Sequence, residues 1–123
     1  MRVAVHQKNL EFTPSLSAAI ESKLVKPLEK RLQNFVGKDL PILTLELGRS
    51  TRHHHKGNVF YAEGNLSIGK KLLRAEVTDQ DIHTACDLLK DELLGEINKL
   101  KEKKESVSKK SAREVKNKIK SEY

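Results

Sequence analysis

The sequence predicts an α+β fold in which four strands form one sheet and two helices pack on one face of it, in the order β-α-β-β-β-α. Two segments repeat apolar residues every three or four positions, the spacing of a helix with one buried face. Four shorter segments alternate apolar and polar residues, as half-buried strands do. Hairpin-length connections join the last three strands, so the economical packing is a single sheet that carries both helices on one side.

The first strand and the first helix are predicted at the start of the chain. Val3 and Val5 alternate with polar neighbours and form the strand. Thr13 is suited to cap the helix, and Pro14 fits its first position because the missing amide hydrogen costs nothing there. Gly37 is suited to end the helix. The apolar stripe comprises Leu16, Ile20, Leu24, Leu28 and Leu32, followed by Phe35.

On a straight helix this stripe would not keep facing one core. Four consecutive steps of four residues rotate it by roughly 160°. Pro27 lies within the stretch and removes one backbone donor. We therefore predict a kink or a one-residue bulge near residues 23–27.

Three strands follow the first helix. Leu43, Leu45 and Leu47 form the buried face of the second strand, and a polar, basic loop is predicted from Gly48 to Asn58. The inward faces of the third and fourth strands comprise Phe60, Ala62, Gly64, Leu66 and Ile68, then Leu73, Ala75 and Val77.

The final helix begins with Thr78 or Asp79 as its predicted cap and ends strongly basic. Its apolar stripe comprises Ile82, Cys86, Leu89, Leu93, Ile97 and Leu100. Cys86 is therefore interpreted as a small buried hydrophobe, not as a disulfide partner, metal ligand or nucleophile. From Lys101 to Tyr123 there are nine Lys and Arg against four Glu, so this tail holds +5 of the net charge of +7. That distribution indicates a polyanionic partner.

The chain of 123 residues is 33% charged and has no Trp, which predicts one domain of residues 1–104 and a basic, disordered tail of residues 105–123. The amino terminus lacks the apolar core of a signal peptide, and no apolar run reaches the length of a membrane span. We expect a cytoplasmic protein that has no membrane contact and is a monomer when free.

Four short words of sequence occur in order on these elements. They are Glu11-Phe12-Thr13-Pro14-Ser15-Leu16; Lys23-Leu24-Val25-Lys26 with Leu28-Glu29-Lys30; Asp81-Ile82-His83-Thr84-Ala85-Cys86-Asp87; and Ile97-Asn98-Lys99-Leu100-Lys101. Across residues 2–104 they resemble the bacterial family of ribosome hibernation promoting factors and ribosome-associated translation inhibitors.

This resemblance implies a fold similar to a double-stranded RNA-binding domain. It also implies binding to the small ribosomal subunit, its RNA and nearby proteins, between head and body, where messenger and transfer RNA would lie. Family members silence the ribosome in resting or stressed cells. The chain resembles a short form, and short forms differ in whether they promote ribosome dimers or hold single ribosomes inactive.

By position, the resemblance implies phosphate contacts from Lys23, Lys26 and Lys30 on the first helix and from Lys99, Lys101 and Lys103 on the second. The first three are spaced three and four residues apart, so they share one stripe that can contact successive phosphates. We also expect contacts from the basic loop and the start of the tail, through Arg49, Arg52, Lys56 and Lys104.

The second helix departs from the family pattern. Glu92, Gly95 and Glu96 stand where typical members carry a basic residue, an Arg and a Gln, and by angle they lie on the same side as Lys99 and Lys103. Residues 80–100 hold two Lys against five acidic residues. We expect this segment to repel RNA unless it faces ribosomal protein, with RNA contact shifted to the first helix, the loop and the tail.

Neither catalysis nor a cofactor is expected. The chain has no Gly-rich phosphate loop, nucleophile elbow or carboxylate or Cys/His set with catalytic spacing. His53, His54 and His55 have no acidic or cysteine ligand nearby in sequence, so we interpret them as a solvated or RNA-facing loop with no metal. Two alternatives stay open: a general double-stranded RNA-binding module, and a partner-binding regulatory protein that uses the acidic half of the second helix.

Overall fold

The computed structural model describes residues 1–33, 40–50 and 59–122, with side-chain surroundings described through residue 103. Within these ranges the chain forms four strands and three α-helices, and a π-helical segment joins the first two helices. The elements are β1 (Arg2–Lys8), α1 (Pro14–Ala19), the π segment (Ile20–Val25), α2 (Lys26–Leu32), β2 (Ile42–Ser50), β3 (Val59–Ile68), β4 (Lys71–Asp79) and α3 (Ile82–Glu122).

The strands form one sheet in the order β1-β2-β3-β4. β1 is parallel to β2, because the helical stretch between them returns the chain to the end at which β1 began. The other two pairs are antiparallel, and their register places Leu43, Leu45 and Leu47 on the same face as Leu66. All four leucines are fully buried.

Both helical stretches pack on this leucine face. Leu24 and Leu28 before β2, and Leu89 and Leu93 of α3, are fully buried in one cluster with the sheet residues. Gly64 allows α3 to approach the sheet, because a Cβ at that position would lie 2.9 Å from Cδ1 of Leu93. The α+β prediction, with both helices on one face, is confirmed, and the opposite face of the sheet carries no helix within the described residues.

The predicted bulge in the first helical stretch is confirmed as the π segment, which begins three residues earlier than expected. The amide of Lys26 donates to the carbonyl of Glu21, one residue further back than in an α-helix. This wider turn absorbs rotation, so every member of the predicted stripe from Leu16 to Leu32 is buried. Pro27 lies in the first turn of α2, directly after the π segment, so the helical stretch lacks one backbone donor at this point.

One predicted helix cap is confirmed and the other is wrong. Thr13 caps α1 by accepting a hydrogen bond from the amide of Leu16 at 3.1 Å. In α3 the cap is Asp81, whose carboxylate accepts from the amides of His83 and Thr84 at 3.3 Å. Thr78 and Asp79 are instead the last residues of β4, because their backbones pair with Tyr61 and Phe60 of β3.

The basic loop begins later than predicted. Gly48, Arg49 and Ser50 are not loop residues but the end of β2, because they continue its register with β3. At Gly48 only a glycine fits, since a Cβ would lie 2.6 Å from the Tyr61 ring and 2.7 Å from the carbonyl oxygen of Lys8. Phe35 and Gly37 of the first stretch lie outside the described residues.

The helix α3 continues past residue 104 and ends at Glu122. The division into a domain of residues 1–104 and a tail of residues 105–123 stays a prediction.

Candidate nucleic-acid interface

Two lysines of the first predicted stripe are exposed on α2. Lys26 and Lys30 are four residues apart, and a rotation of about 100° per residue places both on the side of α2 opposite the buried Leu28. They are therefore adjacent on the outer surface of the helical layer, with about 6 Å between them along the axis. This spacing suits contacts to neighbouring phosphates of a nucleic-acid backbone.

Lys23, the third lysine of that stripe, is directed toward α3. Its Nζ lies 3.6 Å from Oδ2 of Asp87, and both side chains are a little under half exposed. The wider turn of the π segment contributes to this, because it separates Lys23 in angle from the two lysines that follow. Asp87 partly balances the charge of Lys23, so Lys23 attracts an external anion less strongly than Lys26 or Lys30 does.

The contacts between α2 and α3 define the flank of α3 that faces the first helical stretch. Nε of Arg31 donates a hydrogen bond to Oδ1 of Asn98 at 2.9 Å. Asp87 is eleven residues before Asn98, which is about three turns, so the two side chains share this flank. We call it the inner flank of α3.

The three predicted lysines of α3 do not lie together. Lys101 is about 60° from Asn98 around the helix, so it borders the inner flank. Lys99 and Lys103 are about 100° and 140° from Asn98 in the opposite sense, on what we call the outer flank. Only Lys101 therefore extends the basic surface of α2.

The outer flank is partly neutralised by acidic side chains. Nζ of Lys99 lies 3.5 Å from Oε1 of Glu96, and Glu92 is exposed one turn earlier. A Cβ added at Gly95 would meet nothing within 4 Å, so no packing within the described part of the chain requires a glycine there. Because Glu92 and Glu96 lie on the outer flank, we continue to expect weaker binding of RNA to this flank.

Arg49 lies far from the lysines of α2. Its guanidinium carbon is 5.5 Å from the centre of the Phe60 ring, at the end of the sheet where α1 and α3 begin. Lys30 is sixteen residues into the helical stretch that starts at Pro14, which is about 24 Å along its axis. Several predicted groups lie outside the described part of the chain: Arg52, Lys56, the three histidines and the side chain of Lys104.

The middle of the open face of the sheet is acidic. Glu46, Glu63 and Glu76 are paired across adjacent strands and form an acidic row. Burial, and after it the charges of these three carboxylates, raise the pKa of the neighbouring Tyr61. Arg74 balances one charge of the row, with its Nη2 2.8 Å from Oε1 of Glu63. Arg2 and Lys8 of β1 also lie on the open face, in register with Ile42 and Gly48, so the acidic row occupies the middle of this face and not all of it.

Other chemistry has little support in the described part of the chain. Cys86 is fully buried, as predicted, and burial together with Asp87 raises the pKa of its thiol to about 11. No group of His, Cys, Asp and Glu in residues 1–33, 40–50 and 59–103 has the arrangement of a metal site. No described helix is both long enough and apolar enough to span a membrane.

Sequence reasoning missed the pair Arg31 and Asn98. The residues are 67 positions apart, and each taken alone is an ordinary polar residue of an exposed helix. No signal in the sequence joins them, because their contact depends on how α2 crosses α3.

Comparisons with known proteins agree on one family. The family model described as "Sigma 54 modulation protein / S30EA ribosomal protein" matches residues 3–105. A ribosome hibernation promotion factor of Picosynechococcus sp. is 28% identical over 104 residues, which are 84% of this chain and 50% of that protein. The chain thus spans about half the length of this curated relative.

Two solved structures share the fold. The amino-terminal domain of Protein Y from Thermus thermophilus has a TM-score of 0.62 and 20% identity, over 81% of this chain and 99% of that one. A ribosomal subunit interface protein from Coxiella burnetii has a TM-score of 0.59 and 14% identity, over 82% of this chain and 98% of that one.

Proposed function

The chain belongs to the Sigma 54 modulation protein / S30EA ribosomal protein family, the family of ribosome hibernation factors, and we propose that it binds the small ribosomal subunit and inhibits translation. In this proposal the protein occupies the channel of messenger and transfer RNA between head and body. It keeps ribosomes inactive in resting or stressed cells. It acts in the cytoplasm and is a monomer when free.

The observation that carries the proposal is the contrast of charge between the outer surface of α2 and the middle of the open face of the sheet. Lys26 and Lys30 are exposed on the outer surface of the helical layer, whereas the open face of the sheet carries the row formed by Glu46, Glu63 and Glu76. Backbone phosphates are attracted to these two lysines and repelled by these three carboxylates. Such contacts give affinity without reading bases, which suits recognition of a folded RNA surface by its shape.

In the proposed complex the outer flank of α3 faces protein instead of RNA. Glu92 is exposed on it, and Glu96 is close enough to Lys99 to balance its charge. An acidic surface next to a phosphate-binding surface fits a site lined by both ribosomal RNA and basic ribosomal proteins. The same flank is the feature that favours the alternative of a regulatory protein with a single protein partner.

The direct test is peptide synthesis in a cell-free system supplemented with the purified protein. We expect synthesis to fall as the protein saturates the small subunit, and to recover when messenger and transfer RNA are raised in competition. The variant with Lys26→Gln and Lys30→Gln serves as a matched control that should inhibit less. Undiminished synthesis at saturating protein would contradict the proposal.

Sedimentation in extracts of growing and starved cells separates the alternatives. Cosedimentation with ribosomes under starvation supports hibernation, and cosedimentation with RNA of any kind indicates the general double-stranded RNA-binding module. A position near the top of the gradient indicates a regulatory protein with another partner.

A further inference from the structure

The junction between α2 and α3 contains an arginine whose orientation is set by the opposite helix. Arg31 is partly buried near the end of α2, and its Nε donates to Oδ1 of Asn98 at 2.9 Å. A guanidinium carries five N–H donors in one plane, and the bond to Asn98 engages one of them. The contact thus orients the plane of the group at the edge of the groove between the helices.

Charged residues of both signs flank this guanidinium. Lys30 precedes Arg31 in α2, and Lys101 follows Asn98 by three residues and borders the inner flank of α3. Glu29 lies on the opposite side of α2 from Arg31, and Glu96 lies on the outer flank of α3, whereas Glu102 is exposed on the inner flank one turn after Asn98. Arg31 therefore has Lys30 and Lys101 as cationic neighbours by position, with Glu102 as the nearest carboxylate of the inner flank.

We propose that Arg31, oriented by Asn98, binds a backbone phosphate of ribosomal RNA at the junction of α2 and α3. The Nη1 and Nη2 edge of a guanidinium matches two oxygens of one phosphate, which a lysine ammonium does not do. Holding Nε in place reduces the side-chain entropy lost on binding. This inference rests on the proposed function and adds to it a phosphate site that joins the two helices.

Three variants separate the charge of Arg31 from its orientation. Arg31→Gln removes both, and it should weaken binding to purified small subunits about tenfold near physiological salt and lower the slope of log affinity against log salt by about one. Arg31→Lys keeps the charge and loses the planar fork, so it should weaken binding and keep the slope. Asn98→Ala keeps the guanidinium and frees it, so it should also weaken binding with the slope kept.

The double variant Arg31→Gln with Asn98→Ala should bind as Arg31→Gln does, because Asn98 acts only through Arg31. Arg74→Gln is the matched control, since it removes one exposed arginine from the open face of the sheet. Thermal unfolding of each variant tests that the fold is kept.

The inference is overturned if Arg31→Gln and Arg74→Gln have equal effects, or if Asn98→Ala binds like the wild type. It is also overturned if the effects of Arg31→Gln and Asn98→Ala simply add. If the wild-type protein does not bind small subunits, the proposed function is wrong as well. If the wild-type protein binds and only the pattern of the variants differs from the expected one, the inference alone is overturned.

Discussion

Replacing Lys26 and Lys30 together with Gln should remove most of the salt-dependent affinity that α2 contributes. Both side chains are exposed on the outer surface of the helical layer. Glutamine keeps most of the length and the helix propensity of lysine, so the fold should be unaffected. Lys23→Gln is the matched single change, because Lys23 already lies 3.6 Å from Asp87.

The expected magnitude follows from the release of counterions. Each neutralised phosphate contributes about 0.7 to 0.9 to the slope of log affinity against log salt, so two lost contacts lower it by about 1.6. Over a fourfold rise in salt this difference amounts to a factor of about ten. The double variant should therefore lose about ten times more affinity, relative to wild type, at about 50 mM salt than at about 200 mM. Lys23→Gln should change the slope by less than half of the amount that one phosphate contact contributes.

The assay is equilibrium binding of labelled protein to purified small subunits at four or five salt concentrations. A slope for the double variant equal to that of the wild type would mean that both lysines are merely solvated. A full loss of one contact for Lys23→Gln would refute the inference that its charge is balanced by Asp87. A change of Lys23, Lys26 and Lys30 to Glu should flatten the slope further.

Three other predictions concern stability and the tail. Gly95→Ala should stabilise the fold by about 1 kcal/mol and raise the midpoint of thermal unfolding by about 4 °C, because the added Cβ meets nothing within 4 Å; an unchanged midpoint would contradict this. Gly48→Ala should destabilise it by about 1–3 kcal/mol in a denaturant titration, since its Cβ would lie 2.7 Å from the carbonyl oxygen of Lys8, and a neutral result would show that β1 can move. Deleting residues 105–123 should leave the unfolding midpoint nearly unchanged and weaken ribosome binding mainly at low salt, whereas a much lower midpoint would make the tail part of the core.

Much of the fold was predictable because its main signals are local. A strand has a period of two and a helix of 3.6, so alternation at Leu43 to Leu47 and the stripe of α3 identify their elements without tertiary information. The π segment was also accessible. The stripe from Leu16 to Leu32 has a period that a straight helix does not satisfy, and burial of every member requires an adjustment of the turn.

The ends of elements were less predictable, because they depend on pairing across strands. Asp79 and Asp81 are both good caps by residue type, and the choice of Asp81 follows from the register in which Asp79 pairs with Phe60. Arg49 is predicted in a loop but lies in β2, because the end of β2 is also set by pairing with β3. Nothing local indicates that Gly48 and Ser50 continue β2, since this depends on Tyr61 and Val59 of the neighbouring strand.

The sequence by itself determined the order of the elements, the buried face of each and the pattern of charge along each helix, since each is a property of neighbouring residues. Only the tertiary structure decided which charges lie together. The packing of the π segment and α2 against α3 directs Lys23 to Asp87 and Arg31 to Asn98, and it decides that Lys101, and not Lys99 or Lys103, borders the first helical stretch. A helical wheel gives angles within one helix, whereas the contact between two helices depends on their crossing, which the shared core beneath them sets.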